Sequence, residues 1–287
     1  MGRSIAGTEA GVNSLVISRM LWYLLYFKKE STMLLAIDAG NSTVQFGFFR
    51  DGSLVQQFTA QSREEATADE YAAFLLAAMS GSGMDESPIE GVALSSVVPS
   101  LVHVIFQAVR RFTDATPLLV SSRLRLPISI KYGTPETLGS DRIASASAAY
   151  KLFGGPVIVA DFGTATTVSV VDRQGDFLGG MIAPGLMTGY KALLGRASGL
   201  PRVGLTYPKD AVGTTTAEGI QSGVIFGHAD MAAGLIRRAM AEAGEAKVAV
   251  TGGLAGMVLP HLGMKAQHDP ALALKGLEII YKINTEN

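Results

Sequence analysis

Two aspartates stand at the end of an apolar run and the head of a glycine turn, 123 residues apart at positions 38 and 161. The first lies in Leu34-Leu35-Ala36-Ile37-Asp38-Ala39-Gly40-Asn41-Ser42-Thr43-Val44-Gln45-Phe46-Gly47-Phe48-Phe49, the second in Val157-Ile158-Val159-Ala160-Asp161-Phe162-Gly163-Thr164-Ala165-Thr166-Thr167-Val168-Ser169-Val170-Val171. In both, small hydroxyl or amide residues and a second β-rich run follow Asp-x-Gly. A glycine lets a ligand approach the main chain, and a turn lined with backbone N–H groups and hydroxyls suits phosphate oxygens. The aspartate alone would repel phosphate. With a hard cation between them it becomes useful, because such cations take carboxylate and phosphate oxygens together. Two such turns facing across a cleft would hold the phosphates of one nucleotide from both sides. Without that chemistry, the same stretches are two β-hairpins with Asp-Gly turns.

A third acid, Asp141, sits in Leu138-Gly139-Ser140-Asp141-Arg142, at the head of a helix expected over Ile143 to Phe153. At a helix start it would serve as an N-cap. The run Ala144-Ser145-Ala146-Ser147-Ala148-Ala149 supplies small residues for close helix packing.

The elements that position these acids read as strand, turn, strand, turn, strand, used twice; Arg50-Asp51-Gly52-Ser53 and Asp172-Arg173-Gln174-Gly175 close the second turns. In the first half, a helix is expected from Glu64 to Ser80, a loop over Gly81–Pro88, a buried strand over Gly91–Pro99, a helix over Val102–Phe112 and a short strand over Pro117–Val120. An extended connector follows over 123–138. After the second triplet of strands come a helix over Thr188–Arg196, a long loop over 197–213 and a helix from Gly213 to about Arg238. A strand over 248–253 ends at Gly252-Gly253, where the backbone can approach a flat ligand, and a closing helix covers Pro270–Ile283. The order argues for an α/β protein of two related halves, each a mixed sheet with packed helices.

The chain has 287 residues and a net charge of −1, with 48% hydrophobic residues, enough for one large or two small cores. That balance gives no sign of a nucleic-acid or anionic-membrane partner. There is no cysteine, hence no disulfide, thiolate metal site or cysteine nucleophile. The four histidines are scattered, without zinc-site spacing. Residues 1–32 stand apart. Leu15–Phe27 is apolar but broken by Arg19, too short to span a membrane, and lacks the layout of a signal peptide. The segment is expected to be a dispensable extension ahead of Met33; a membrane-associated amphipathic segment is the alternative.

From Met33 onward the sequence resembles the type III pantothenate kinases of the actin-like, sugar-kinase-like ATPase superfamily. The resemblance rests on Asp38-Ala39-Gly40-Asn41-Ser42, Gly139-Ser140-Asp141-Arg142, Asp161-Phe162-Gly163-Thr164-Ala165-Thr166-Thr167, Gly180-Met181-Ile182-Ala183-Pro184-Gly185, Thr216-Ala217-Glu218 and Thr251-Gly252-Gly253. It departs at Ser42, where many members have Thr, and in the extra 32 residues. The resemblance implies two actin-like (ribonuclease H-like) domains, 33–138 and 139–287, with the active site between them. It implies ATP-dependent phosphorylation of pantothenate in the cytoplasm, with Mg²⁺ accompanying ATP and K⁺ or NH₄⁺ as a monovalent cation.

Residue by residue, it implies an ATP phosphate turn over Asp38, Ala39, Gly40, Asn41, Ser42, Thr43, Val44 and Gln45. Asp38 would face Mg²⁺ through the phosphates, and Thr164 would be a second ATP contact. Asp161 would be the monovalent-cation ligand and Asp141 the catalytic base. The pantothenate pocket would comprise Tyr132, Gly139, Ser140, Asp141 and Arg142. Thr216 would reach into the partner's site of a homodimer with shared active sites, although in this position it would also serve as a helix cap. Arg142 would keep Asp141 ionised, pair with the substrate carboxylate, or both. No nucleic acid and no stable membrane association are expected. A kinase for another small hydroxyl substrate, or a non-catalytic regulatory protein on the same fold, stands as the alternative.

Overall fold

The structure is a computed structural model, and it describes residues 33–82 and 88–286. The expectations for residues 1–32, and most of the loop over 81–88, lie outside the described residues. The first half runs β1 (Met33–Ala39), β2 (Thr43–Arg50), β3 (Ser53–Gln61), α1 (Ala68–Ser82), β4 (Ile89–Ser96), α2 (Pro99–Val109) and β5 (Leu118–Leu119). Then come β6 (Ser129–Ile130), α3 (Ser140–Phe153), β7 (Val157–Phe162), β8 (Ala165–Val171), β9 (Asp176–Pro184), α4 (Leu186–Arg196), α5 (Thr216–Ala243), β10 (Lys247–Thr251), α6 (Ala255–Val258), β11 (Gln267–His268) and α7 (Leu272–Thr285).

The two sheets follow one plan. The first has the order β3-β2-β1-β4-β5, and the second, read from its other side, has β6-β9-β8-β7-β10-β11. In each, an antiparallel triplet is extended by two strands parallel to its first strand. This is the duplicated α/β architecture that the sequence indicates. The β2–β3 turn has Asp51 and Gly52 both at positive φ, 51° and 80°. That is the Asp-Gly hairpin geometry whose twist matches the flanking strands.

Between the sheets lies a shared core. Ala36 and Ala93 of the first sheet, Val157 and Val159 of the second, and Ile143, Ala146, Leu274 and Leu277 of α3 and α7 are all buried within it. Helices α3 and α7 pack closely enough that a Cβ at Gly276 would overlap the Ala144 carbonyl. The small residues of α3 thus serve the packing expected of them. The C-terminal helix also packs on β1 and β4, and β6 pairs with β9, so the chain crosses between halves at both places.

Several boundaries differ from the sequence reading, each for a local reason. The helix expected from Glu64 starts at Ala68, because Thr67 caps it: its Oγ1 accepts the Glu70 N–H at 3.3 Å while Glu70 accepts the Thr67 N–H at 2.7 Å. The helix expected from Val102 starts at Pro99, a residue suited to the first helical turn. The connector over 123–138 includes β6 and a 3₁₀ turn at Pro135–Thr137. Helix α5 runs on to Ala243 and stops at Gly244, whose φ is 85°. Among the described residues no helix is long and apolar enough to cross a membrane.

Candidate active site

The parallel strands β1, β4, β7 and β10 deliver their C-terminal ends to one side, where ligands bind in open α/β sheets. Asp38 is the penultimate residue of β1, Ser95 and Ser96 end β4, Asp161 is near the end of β7, and Thr251 ends β10 with Gly252 next.

The two glycine turns meet. Gly40 N–H donates to the Thr43 carbonyl at 2.9 Å and Gly163 N–H to the Ala165 carbonyl at 3.1 Å, closing two similar tight turns. Across the cleft, the hydroxyls of Ser42 and Thr164 lie 2.6 Å apart and share a hydrogen bond. Asn41, Ser42, Thr43 and Thr164 are exposed. Ala39 and Val44 are core side chains with no exposure, so their contribution to any ligand is through the backbone. Gln45 lies opposite Asp38 in the β1–β2 register and accepts a hydrogen bond from Gln57 at 3.0 Å.

The three aspartates converge. Burial, with the Asp141 charge adding to it, pushes Asp38 up to about 7, while a hydrogen bond from Ser95 opposes the rise. Asp161 is likewise pushed up to about 7 by burial, then by Asp141 and Asp38. Burial also raises Asp141, against the backbone N–H of Arg142 and the Arg142 charge. No ion pair among the described residues includes any of the three.

Asp141 is not the N-cap. That place belongs to Gly139, and Asp141 sits in the first turn of α3, accepting the Arg142 N–H at 2.8 Å. The glycine has a steric reason: a Cβ there would overlap Asp141 Oδ1. Asp161 has a matching partner, because a Cβ at Gly252 (φ 95°) would overlap Asp161 Oδ1. Each carboxylate occupies space that a glycine leaves free.

Arg142 turns away from its neighbour. Its Nε donates to Ser169 Oγ at 3.0 Å, its guanidinium lies 5.5 Å from the Phe177 ring centre, and Nη2 is buried without a hydrogen-bond partner. A Cβ at Gly180 would stand 3.0 Å from that Nη2. Tyr132 packs edge-on against Phe177 and beside Gly179, so Tyr132, Arg142 and the Gly179-Gly180 stretch share one wall.

Ser140 does not face that wall. Its hydroxyl is 2.9 Å from Ser95 Oγ and accepts the Ser96 N–H at 3.1 Å. Thr216 is exposed at the first position of α5, and the cap is its neighbour: Thr215 accepts the Glu218 N–H in a full capping box. The helix-cap role considered for Thr216 therefore falls to Thr215. Within the chain, no hydrogen bond among the described residues ties Thr216 to the three aspartates.

The donor set fits a cation held jointly with a ligand. Asp38 Oδ1 is buried with no hydrogen-bond partner. No group of three or more His, Asp or Glu side chains among the described residues forms a ready cage. Ligand oxygens would thus have to complete any coordination shell, as phosphate oxygens do for Mg²⁺.

Residues 34–238 match the model of a family described as type III pantothenate kinase. The chain belongs to that family. It is 40% identical over 254 residues to the type III pantothenate kinase of Moorella thermoacetica, covering 88% of this chain and all of that protein. It is 38% identical over 253 residues to the one from Halalkalibacterium halodurans, with the same coverage. In fold it is similar to a putative 2-dehydro-3-deoxygalactonokinase from Sinorhizobium meliloti, at TM-score 0.53 and 13% identity over 88% of this chain and all of that one. Family membership and the duplicated sheets together make this an actin-like kinase fold, and the sequence resemblance is borne out.

Some residues at the site escaped the sequence reading. Ser95, Ser169 and Phe177 sit in segments read as plain strands. The one signal available was a pair of serines, Ser95-Ser96, closing an otherwise apolar strand.

Proposed function

We propose that the chain transfers the γ-phosphoryl group of ATP to the primary hydroxyl of pantothenate, giving 4'-phosphopantothenate, the first step of coenzyme A biosynthesis. The observation that carries this is a family match spanning 34–238 over a cleft where Asp38, Asp141 and Asp161 converge beside the joined turns of Ser42 and Thr164.

In this reading the turns over 38–45 and at Thr164 hold the phosphates. Asp38 and Asp161 hold cations: Mg²⁺ that arrives with ATP, and K⁺ or NH₄⁺, which together offset phosphate charge. Asp141 accepts the proton of the substrate hydroxyl as its oxygen bonds to the γ-phosphorus and the bond to the ADP oxygen breaks. The raised affinity of Asp141 for protons suits a base. The free Nη2 of Arg142 takes the pantothenate carboxylate, with Tyr132 forming the adjoining wall. The cleft divides domains 33–138 and 139–287. Two copies pair so that Thr216 of each lines the site of the other; exposed Leu178, Ile182 and Val212 offer apolar surface for such pairing.

A coupled assay with ATP, Mg²⁺, K⁺ and pantothenate tests the reading directly. Pantothenate-dependent ADP release is expected. Turnover of hexoses in its place, or none with pantothenate, would overturn it.

A further inference from the structure

Ser140 lies inside the motif that carries Asp141, yet its hydroxyl points at the other half of the molecule. The Ser96 N–H donates to Ser140 Oγ at 3.1 Å, the Ser140 and Ser95 hydroxyls are 2.9 Å apart, and Ser95 stands opposite Asp38 in the β1–β4 register. The directions follow from chemistry. The Ser140 hydroxyl has one proton to offer, and Ser95 Oγ is within its reach. Ser140 in turn receives the Ser96 N–H. The Ser96 carbonyl lies 3.2 Å from Ser140 Oγ and shares its proton. Both serines are buried, Ser95 completely and Ser140 at 8% exposure, so solvent does not compete for these bonds.

We infer that Ser95 and Ser140 are positioning residues: a hydrogen-bonded link that fixes the first turn of α3, and with it Asp141, at a set distance from Asp38 and the end of β4. Asp38 belongs to the phosphate turn and Asp141 stands one residue from Ser140, so the link sets the gap across which the phosphoryl group must pass. In-line transfer is sensitive to that gap, and a displacement of about 1 Å costs on the order of 10²-fold in rate. The link touches neither substrate in this reading. It should therefore act on turnover and leave binding alone, unlike a pantothenate contact at Ser140. The inference rests on the reading of Asp141 as the base.

The test uses the full chain and five variants: Ser95→Ala, Ser140→Ala, the double alanine, Ser140→Thr and Asp141→Asn, with Ser140→Ala repeated on Asp141→Asn. Each alanine is expected to lower kcat by about 10- to 100-fold. KM for ATP and for pantothenate should stay within about twofold of wild type, as for an interaction felt only in the transition state. The double variant should fall no further than the worse single, because both break one link. Ser140→Thr, which keeps the hydroxyl, should recover most of the rate. On Asp141→Asn, Ser140→Ala should cost nothing more.

Unchanged kcat in both alanine variants overturns the inference. So does a rise in pantothenate KM alone, which would make Ser140 a substrate contact, or losses that multiply in the double variant. If Asp141→Asn turns over like wild type, the base reading itself fails, which these other outcomes do not imply. Should Ser140→Ala fold poorly, Ser95→Ala probes the same link from the opposite strand.

Discussion

Replacing Asp141 by Asn should abolish turnover and stabilise the free enzyme. The stability half follows from the charges in the cleft. A carboxyl whose folded pKa is raised holds its proton more tightly in the native state. Native stability is then greatest below the unfolded value and is lost as pH rises through the folded one. For Asp38 and Asp161 that window runs from 3.8 to about 7. At pH 8 each has lost about 4 kcal/mol, at roughly 1.4 kcal/mol per pH unit. Burial is the larger cause, and among neighbouring charges Asp141 contributes most to both. Removing that charge lowers both folded values and also removes the burial cost of Asp141 itself; the anion lost at a helix N-terminus takes back up to ~1 kcal/mol, and the expected net change is a gain. In a chain of 287 residues each kcal/mol gained is worth about 2 °C in Tm. The gain should shrink at pH 5, where Asp38 and Asp161 are protonated. Activity should fall on the order of 10²–10⁴-fold through loss of the proton acceptor, while nucleotide binding persists. Thermal melts at pH 8 and pH 5, beside turnover and nucleotide titration, check all three parts. A variant that melts below wild type at pH 8 would refute the electrostatic argument, and one with near wild-type turnover would refute the base.

Other perturbations separate the remaining assignments. Gly139→Ala should displace the Asp141 carboxylate and lower kcat by on the order of 10²-fold with little change in far-ultraviolet circular dichroism, because the backbone there has an ordinary φ of −56° and only the space is wrong. Replacing K⁺ by Na⁺ should depress activity, and Asp161→Ala should remove the difference; a wild type indifferent to K⁺ would count against the cation role of Asp161. Affinity for Mg·ATP should weaken as pH falls through about 7, since protonation of Asp38 removes the charge that faces the cation; calorimetry in buffers of different ionisation enthalpy should find proton release at pH 7. Mixing Asp141→Asn with Thr216→Ala subunits should restore activity in heterodimers, and failure to do so with subunit exchange confirmed would remove Thr216 from the partner's site.

The fold was legible because both halves announce it in the same way. An apolar run into Asp-x-Gly, then a second run into an Asp-initiated turn, has little freedom except to form antiparallel strands, and the sheet orders repeat accordingly. The helix starts were less legible, although the information was present. Thr67 and Thr215 each stand three residues before a glutamate, the spacing of a capping box. Three consecutive threonines at 214–216 all suit a cap, and only Glu218 selects the middle one. The Ser95–Ser140 link was not legible at all. A serine closing a strand looks alike whether it faces water or a helix, and only the packing of α3 across the end of β4 decides.

Two glycines of the motifs are required where no turn demands them. Gly139 and Gly185 have ordinary negative φ, −56° and −69°, and neither needs the freedom a glycine offers. What they supply is volume: a Cβ at Gly139 would overlap Asp141, and at Gly185 the Thr164 and Gly163 carbonyls. Gly252 does the same for Asp161 and adds a left-handed φ. The cleft thus crowds three carboxylates and the backbone of both turns into one space, with the guanidinium of Arg142 bonded to Ser169 instead of to any of the acids. Such an arrangement opposes folding near neutral pH, and its cost falls only when the carboxyls take up protons or face cations. A site selected for stability alone would have placed a lysine or arginine among these acids. Among the described residues Arg142 is the one basic group that acts on them, and it forms no ion pair with any of the three; that is the physical ground on which the proposal brings positive charge in with the substrates.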